Sequence, residues 1–183
     1  MGVKLEKGSR VKLEKAGGGK LSEIIVGLGW DVGNGPSIDL DASCVELAAD
    51  KTKLDIVYFG SKTSRDGAIK HSGDNLTGAG EGDDEQIFVN LDKLPANVQF
   101  VVFTVNSYRG QSFDRVQNAF IRIVDKSTGT ELMKYDLSAK GGHTAMVMAK
   151  LYRHNGEWKL QAVGEVANGR TVEALLPNVI ACL

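Results

Sequence analysis

The 183-residue chain is predicted to fold as one all-β domain, an antiparallel β-sandwich with one or two short helical turns, on three observations. Apolar and polar residues alternate, at the period of a half-buried strand, through a long series of short segments. Turn signals separate those segments, the clearest being Asn155-Gly156 between two alternating runs, the pattern of a type I′ hairpin. No linker or low-complexity stretch divides the chain, and its length suits a single domain with a core of its own.

The elements follow in order. VKLEK occurs at 3–7 and again at 11–15, with Val3 and Leu5, then Val11 and Leu13, alternating as in two edge-type strands joined by a turn. SEIIVGLGW puts Ile24, Val26, Leu28 and Trp30 on one face of the next strand. DLDASCVEL at 39–47 alternates as well, so Asp39 and Asp41 project from one side, about 7 Å apart by strand rise. Further strands are expected at 54–59, 86–91, 98–105, 119–125 and 131–137, and then in the AMVMAKLYR and EWKLQAVGEV pair. TVEALLP at 171–177 suits one or two helical turns capped by Thr171 and stopped by Pro177, and LDKLPAN suits another. NSYRGQSFDRVQNAF at 106–120 reads as a long connection packed over the sandwich by Tyr108 and Phe113, and Trp30 and Trp158 as core or rim packing.

Composition narrows the function. With 42% apolar and 25% charged residues the chain reads as a soluble globular protein, without an apolar run near the roughly 20 residues that span a bilayer. The start, MGVKLEKGSRVKLEK, lacks the apolar stretch of a signal peptide, and Glu6 stands where myristoylation needs Ser or Thr. A cytoplasmic location without direct membrane insertion is therefore expected, and Cys44 and Cys182 are read as unpaired strand and tail residues. The net charge of −1 conceals a sharp partition. Residues 21–50 and 74–85 carry eleven carboxylates and no base, while the rest of the chain has an excess of ten positive charges. Those bases are scattered and lack interleaved aromatics, which argues against a nucleic-acid partner.

The densest acidic stretch, GDNLTGAGEGDDE at 73–85, admits three readings. A phosphate-cradling loop would need a lysine and Ser or Thr to meet the anion, and five carboxylates would repel it. A solvated acidic loop leaves the glycines and the clustering without a purpose. A site for calcium or a similar hard cation uses every feature: Asp74, Asn75, Asp83, Asp84 and Glu85 offer oxygen donors, and glycines let the backbone turn its carbonyls inward. The absence of Cys and His argues against zinc and copper, and the spacing is not that of an EF-hand. If the turn between Asp31 and Asp39 meets this loop at one end of the sandwich, eight oxygen-bearing side chains converge: Asp31, Asp39, Asp41, Asp74, Asn75, Asp83, Asp84 and Glu85. That exceeds what one ion needs, so two ions sharing ligands are expected.

GLGWD, DLDAS and GDNLTGAGEGDDE together resemble the tellurium-resistance TerD family of cytoplasmic bacterial stress proteins, and VKLEKG, NAFIRIVD and KYDLS extend the resemblance over essentially the whole chain. It implies a β-sandwich binding two calcium ions and acting through protein partners of a tellurite or stress-resistance system, membrane-associated ones included. Carried over by position, the motif supports Asp74, Asn75, Asp83, Asp84 and Glu85, and DLD supports Asp39 and Asp41; Asp31 follows from its GLGWD context. Where the family often has an acidic residue after the Thr-Gly pair, this chain has Ala79, which leaves the role of Glu81 open. No catalytic residue is assigned. The alternative, a metal-dependent hydrolase on the same carboxylates, would need a general acid or base, and His71 is the nearest histidine, with His143 and His154 farther along the chain.

Overall fold

The computed structural model describes residues 3–32, 38–73, 82–136 and 141–183. Twelve strands lie within them: β1 (Val3–Lys4), β2 (Arg10–Lys12), β3 (Glu23–Val32), β4 (Leu40–Leu47), β5 (Lys53–Val57), β6 (Ile69–His71), β7 (Glu85–Asn90), β8 (Phe100–Ser107), β9 (Val116–Asp125), β10 (Thr130–Asp136), β11 (Ala145–His154) and β12 (Glu157–Ala167). A single helical turn and a half, α1 (Leu176–Ala181), closes the chain. The strands form two six-stranded sheets, ordered β1-β10-β9-β3-β7-β6 and β2-β12-β11-β8-β4-β5. Every pairing is antiparallel except that of β1 with β10.

The core lies between the sheets, where the alternation predicts it. Ile24, Val26, Leu28 and Trp30 of β3 meet Leu40, Ala42 and Cys44 of β4 and Val101, Phe103 and Val105 of β8 in one buried cluster. Removing such side chains from water contributes roughly 1.5–3 kcal/mol each. The second sheet is buried on its other face as well. Val45, Leu47, Val102 and Val147 pack there against Val172 and Val179 of the C-terminal segment, so β4 and most of β11 show no exposed face. A register shift between Val147 and Ala149 changes which β11 residues face inward. The Asn155-Gly156 turn has φ of 52° and 76°, both positive as a type I′ turn requires.

Four expectations change in detail. The two VKLEK copies do not pair with each other: the first closes one edge of the first sheet beside β10, and the second closes one edge of the second sheet beside β12. Leu5 and Leu13 are each buried to 6%, so the repeated motif performs the same packing job twice. Pro177 stands in the first turn of α1 rather than ending a helix, which suits a residue with no N–H to satisfy there. LDKLPAN forms turns, because Asn90 Oδ1 accepts the N–H groups of Asp92 and Lys93 and competes with a helical start. β6 has only three residues and is below the length at which alternation can be read. The connection after β8 divides its two aromatic residues: Phe113 is buried in the core, and Tyr108 is 48% exposed.

One buried carboxyl stands apart from the acidic loop. Glu46 of β4 is 2% exposed and pairs in register with Asp55 of β5. Burial, then the charge and hydrogen bond of Asp66, then the charge of Asp55, push its carboxyl up to about 8. Cys44 and Cys182 are free, as expected of a strand and a tail residue. Among the described residues no helix is long and apolar enough to cross a membrane.

Candidate metal centre

The two acidic segments meet where the start of β7 approaches β4, with Glu85 Oε2 accepting the Ala42 N–H. Alternation along β4 sends Leu40 and Ala42 into the core and leaves Asp39, Asp41 and Ser43 on the opposite face. Asp39 and Asp41 are nevertheless only 4% and 3% exposed, a costly placement for carboxylates unless charge or hydrogen bonds compensate it. Asp41 lies opposite Asn106 in register, and Asn106 Nδ2 donates to its Oδ2 at 3.2 Å. The Tyr108 N–H donates to the Asp39 carbonyl at 3.1 Å, and Arg109 Nε stands 3.9 Å from Asp39 Oδ2.

Glu85 opens β7 on its inward side, in phase with Ile87 and Val89, and is fully buried. Pairing of β5 with β4 starts at Cys44, so the edge of Ala42 has no strand beside it. Two side chains take that place. Glu85 Oε2 accepts the Ala42 N–H at 2.7 Å, and His71 Nε2 bonds the Ala42 carbonyl at 3.0 Å. The Gly73 N–H donates to His71 Nδ1 at 3.0 Å, so Nδ1 is the acceptor and the proton sits on Nε2, which also lies 3.4 Å from Glu85 Oε2. Both ring nitrogens are thus engaged, Nε2 across the sheets to Ala42 and Nδ1 locally to Gly73. His71 has none left for a metal ion or for the proton transfers a hydrolase would require.

Asp84 is tied to β3: its N–H donates to the Leu28 carbonyl at 2.8 Å, and its Oδ2 accepts the Trp30 N–H at 2.8 Å. Trp30 Nε1 in turn donates to the Ile38 carbonyl at 3.1 Å, which fixes the approach to β4. Asp83 turns the other way. Its oxygens receive Arg122 Nε at 2.7 Å and Nη2 at 3.1 Å, and Gln86 Nε2 adds a third bond at 2.9 Å. The same hydrogen bonds, from Asp83 foremost, raise the Arg122 guanidinium further above its already high range. Gly27 makes room for this pair, since a Cβ there would lie 2.3 Å from the Asp83 carboxylate. Asp31 is exposed and accepts Asn118 Nδ2 at 2.7 Å.

Of the eight predicted oxygen donors, Glu85 reaches the β4 main chain at Ala42, next to Asp41, and Asp84 is fixed to β3 beside it, whereas Asp83 is paired with Arg122 and Asp31 with Asn118 on the first sheet. Asp74 and Asn75 fall outside the described residues, as do Ala79 and Glu81. Among the described residues alone, no three carboxylate, His or Cys side chains form a group placed to hold a metal ion. What they supply is donor chemistry that fits a hard cation: buried carboxylates, with the local histidine already committed. Sequence reasoning missed Arg122 and Asn106, whose roles depend on cross-strand register, and saw His71 only as a possible base.

The whole chain is similar to proteins of known families. The TerD domain model matches residues 1–178. Tellurium resistance protein TerZ of Serratia marcescens is 45% identical over 192 aligned positions, covering 99% of this chain and 98% of that protein. Stress response protein SCP2 of Bacillus subtilis is 44% identical, covering 98% of this chain and 100% of its own length. Among solved structures, a homologue of telluride resistance protein from Streptomyces coelicolor superposes with a TM-score of 0.69 at 27% identity, covering 83% of this chain and 92% of that one.

Proposed function

The chain belongs to the TerD domain family, and from that premise we propose that it is a calcium-binding stress-response protein associated with tellurite resistance. Its relatives carry tellurium-resistance and stress-response names, which supports the biological half of this reading. The chemical half is supported by one observation above the rest: the bond from the Ala42 N–H to Glu85 Oε2 holds the start of β4, with Asp39 and Asp41, against the start of β7, with Asp84 and Glu85.

Two calcium ions would be held by Asp39, Asp41, Asp84 and Glu85, with Asp74 and Asn75 from outside the described residues. Bound cations would offset the repulsion concentrated in residues 21–50 and 74–85. Asp83 contributes by anchoring the loop to Arg122, and Asp31 by its bond to Asn118. The protein acts through partner proteins of a stress-resistance system in the cytoplasm. Native mass spectrometry during calcium titration tests the reading. Two bound ions are expected, and a chain that stays metal-free at saturating calcium would overturn it.

A further inference from the structure

The outer face of the second sheet is apolar where α1 covers it and turns polar toward the start of β4. Asp41 and Ser43 on β4 stand opposite Asn106 and Thr104 on β8, and all four are at most 3% exposed. A cavity of about 300 Å³ opens over Asp41, Ser43 and Asn106. Its wall is aromatic: Phe59 meets Tyr58 edge to face at 5.3 Å and Tyr108 at 5.9 Å. Arg170 and Glu173 form its rim, and Arg170 Nε is held by the Tyr108 carbonyl at 2.9 Å.

The floor holds an unmet acceptor. Asn106 Nδ2 donates both to Asp41 Oδ2 and to the Arg170 carbonyl, which fixes the orientation of the amide. Asn106 Oδ1 is consequently an acceptor, and it is buried without a hydrogen-bond partner among the described residues. Thr104 Oγ1, on the same face two residues earlier, is in the same condition. Buried polar atoms are nearly always satisfied, and one that is not carries a desolvation penalty. A ligand that brings N–H donors would remove that cost. Two carboxylates against one guanidinium around the cavity favour a positive charge, and the three rings favour a cation with an apolar body. The volume lies at the lower end of the roughly 300–1,000 Å³ found for ligand sites.

We propose that this cavity is a binding site for a small primary amine, its ammonium resting on Asn106 Oδ1 and Ser43 Oγ in the field of Asp41, its aromatic or aliphatic body against Tyr58, Phe59 and Tyr108. The site is distinct from the calcium centre, although Asp41 borders both.

Calorimetry and NMR titration of the full chain with phenethylamine, in chelator, test the assignment. Phenylacetate and 2-phenylethanol serve as controls with the same body and a different head. Phenethylamine is expected to bind at least about tenfold more tightly than either, with shifts confined to the cavity residues. Asn106→Leu and Phe59→Ala should each weaken it by about tenfold, and Phe59, at the half-exposed wall, keeps the test valid if the first variant fails to fold. Equal binding of all three compounds, no binding of phenethylamine, or a folded Asn106→Leu that binds like the parent would overturn the proposal. Because calcium is absent from the measurement, such a failure leaves the cation reading to its own titration.

Discussion

Asp83 and Arg122 meet fork to fork over Gly27, with Nε–Oδ1 at 2.7 Å and Nη2–Oδ2 at 3.1 Å, while the adjacent Asp84 accepts the main-chain N–H of Trp30. Two neighbouring carboxylates in one acidic motif thus have different chemical tasks, one in a protein ion pair and the other on the main chain of β3. That division separates stability from metal affinity in a measurable way.

Asp83→Ala should destabilise the fold by about 1.5–3 kcal/mol, because it removes both short charged bonds of a partly buried guanidinium and leaves it only the 3.5 Å contact to Glu131 Oε2. Calcium stoichiometry should stay at two. Asp41→Ala should do the reverse, weakening calcium binding in titration calorimetry while the chelator-treated protein keeps its stability. Identical calcium isotherms for the parent and Asp41→Ala would remove β4 from the site.

Calcium itself should stabilise the protein. At a hundredfold excess over the dissociation constant the linkage is about 2.7 kcal/mol, which for a chain of this size raises the melting temperature by roughly 5–11 °C. Magnesium, which demands a smaller and more rigid octahedron, should give much less. Melting curves in calcium and in chelator that coincide would count against any structural cation.

Gly27→Ala tests the close approach under the ion pair. Its new methyl group would need the space 2.3 Å from the Asp83 carboxylate, so Asp83 must move and release Arg122. The expected loss is similar to that of Asp83→Ala, and the double variant should lose little more than either single one, as residues sharing one contact do. Additive losses in thermal or urea unfolding would show that the two positions act separately.

Glu46 sets a pH dependence. Its carboxyl is pushed up to about 8 in the fold from an ordinary 4.5, so the folded state holds a proton that the unfolded chain has already released. Stability from this group is therefore full below about 4.5, falls as pH rises toward 8, and levels off above that. Glu46→Gln, which mimics the protonated form, should match the parent near pH 4.5 and become the more stable of the two with rising pH. The gain is at most about 1.4 kcal/mol per pH unit through that window. A parent and variant whose melting temperatures run parallel from pH 5 to 9 would contradict the shift.

Alternation made most of this architecture readable, because a two-residue period survives wherever one strand face meets the core. β3, β7 and β12 keep it clearly. It fails on β4, where the outer face is buried too, and β4 is the strand that carries Asp41 and follows directly on Asp39. The clustering of carboxylates was visible as charge, since like charge without bases is conspicuous in one dimension. Their partners were not: Arg122 lies 39 residues from Asp83, and Asn106 lies 65 from Asp41. Those distances are closed by strand register, which a single sequence does not state. The repeat at the N-terminus misled for a related reason. Two identical strands suggest a hairpin, whereas each copy here is used by a different sheet.

That use of the repeat bears on the exposed borders of the two sheets. Open sandwiches offer four borders at which a foreign strand, or another copy, can add by main-chain pairing. Here the bordering strands β1, β6, β2 and β5 contain two, three, three and five residues, and each carries at least one basic side chain, among them Lys4, Lys70, Lys12 and Lys53. Short borders that carry a basic side chain give an incoming strand little length to zip along. VKLEK, placed once on each sheet, thus keeps one border of each short as well as packing Leu5 and Leu13 into the core.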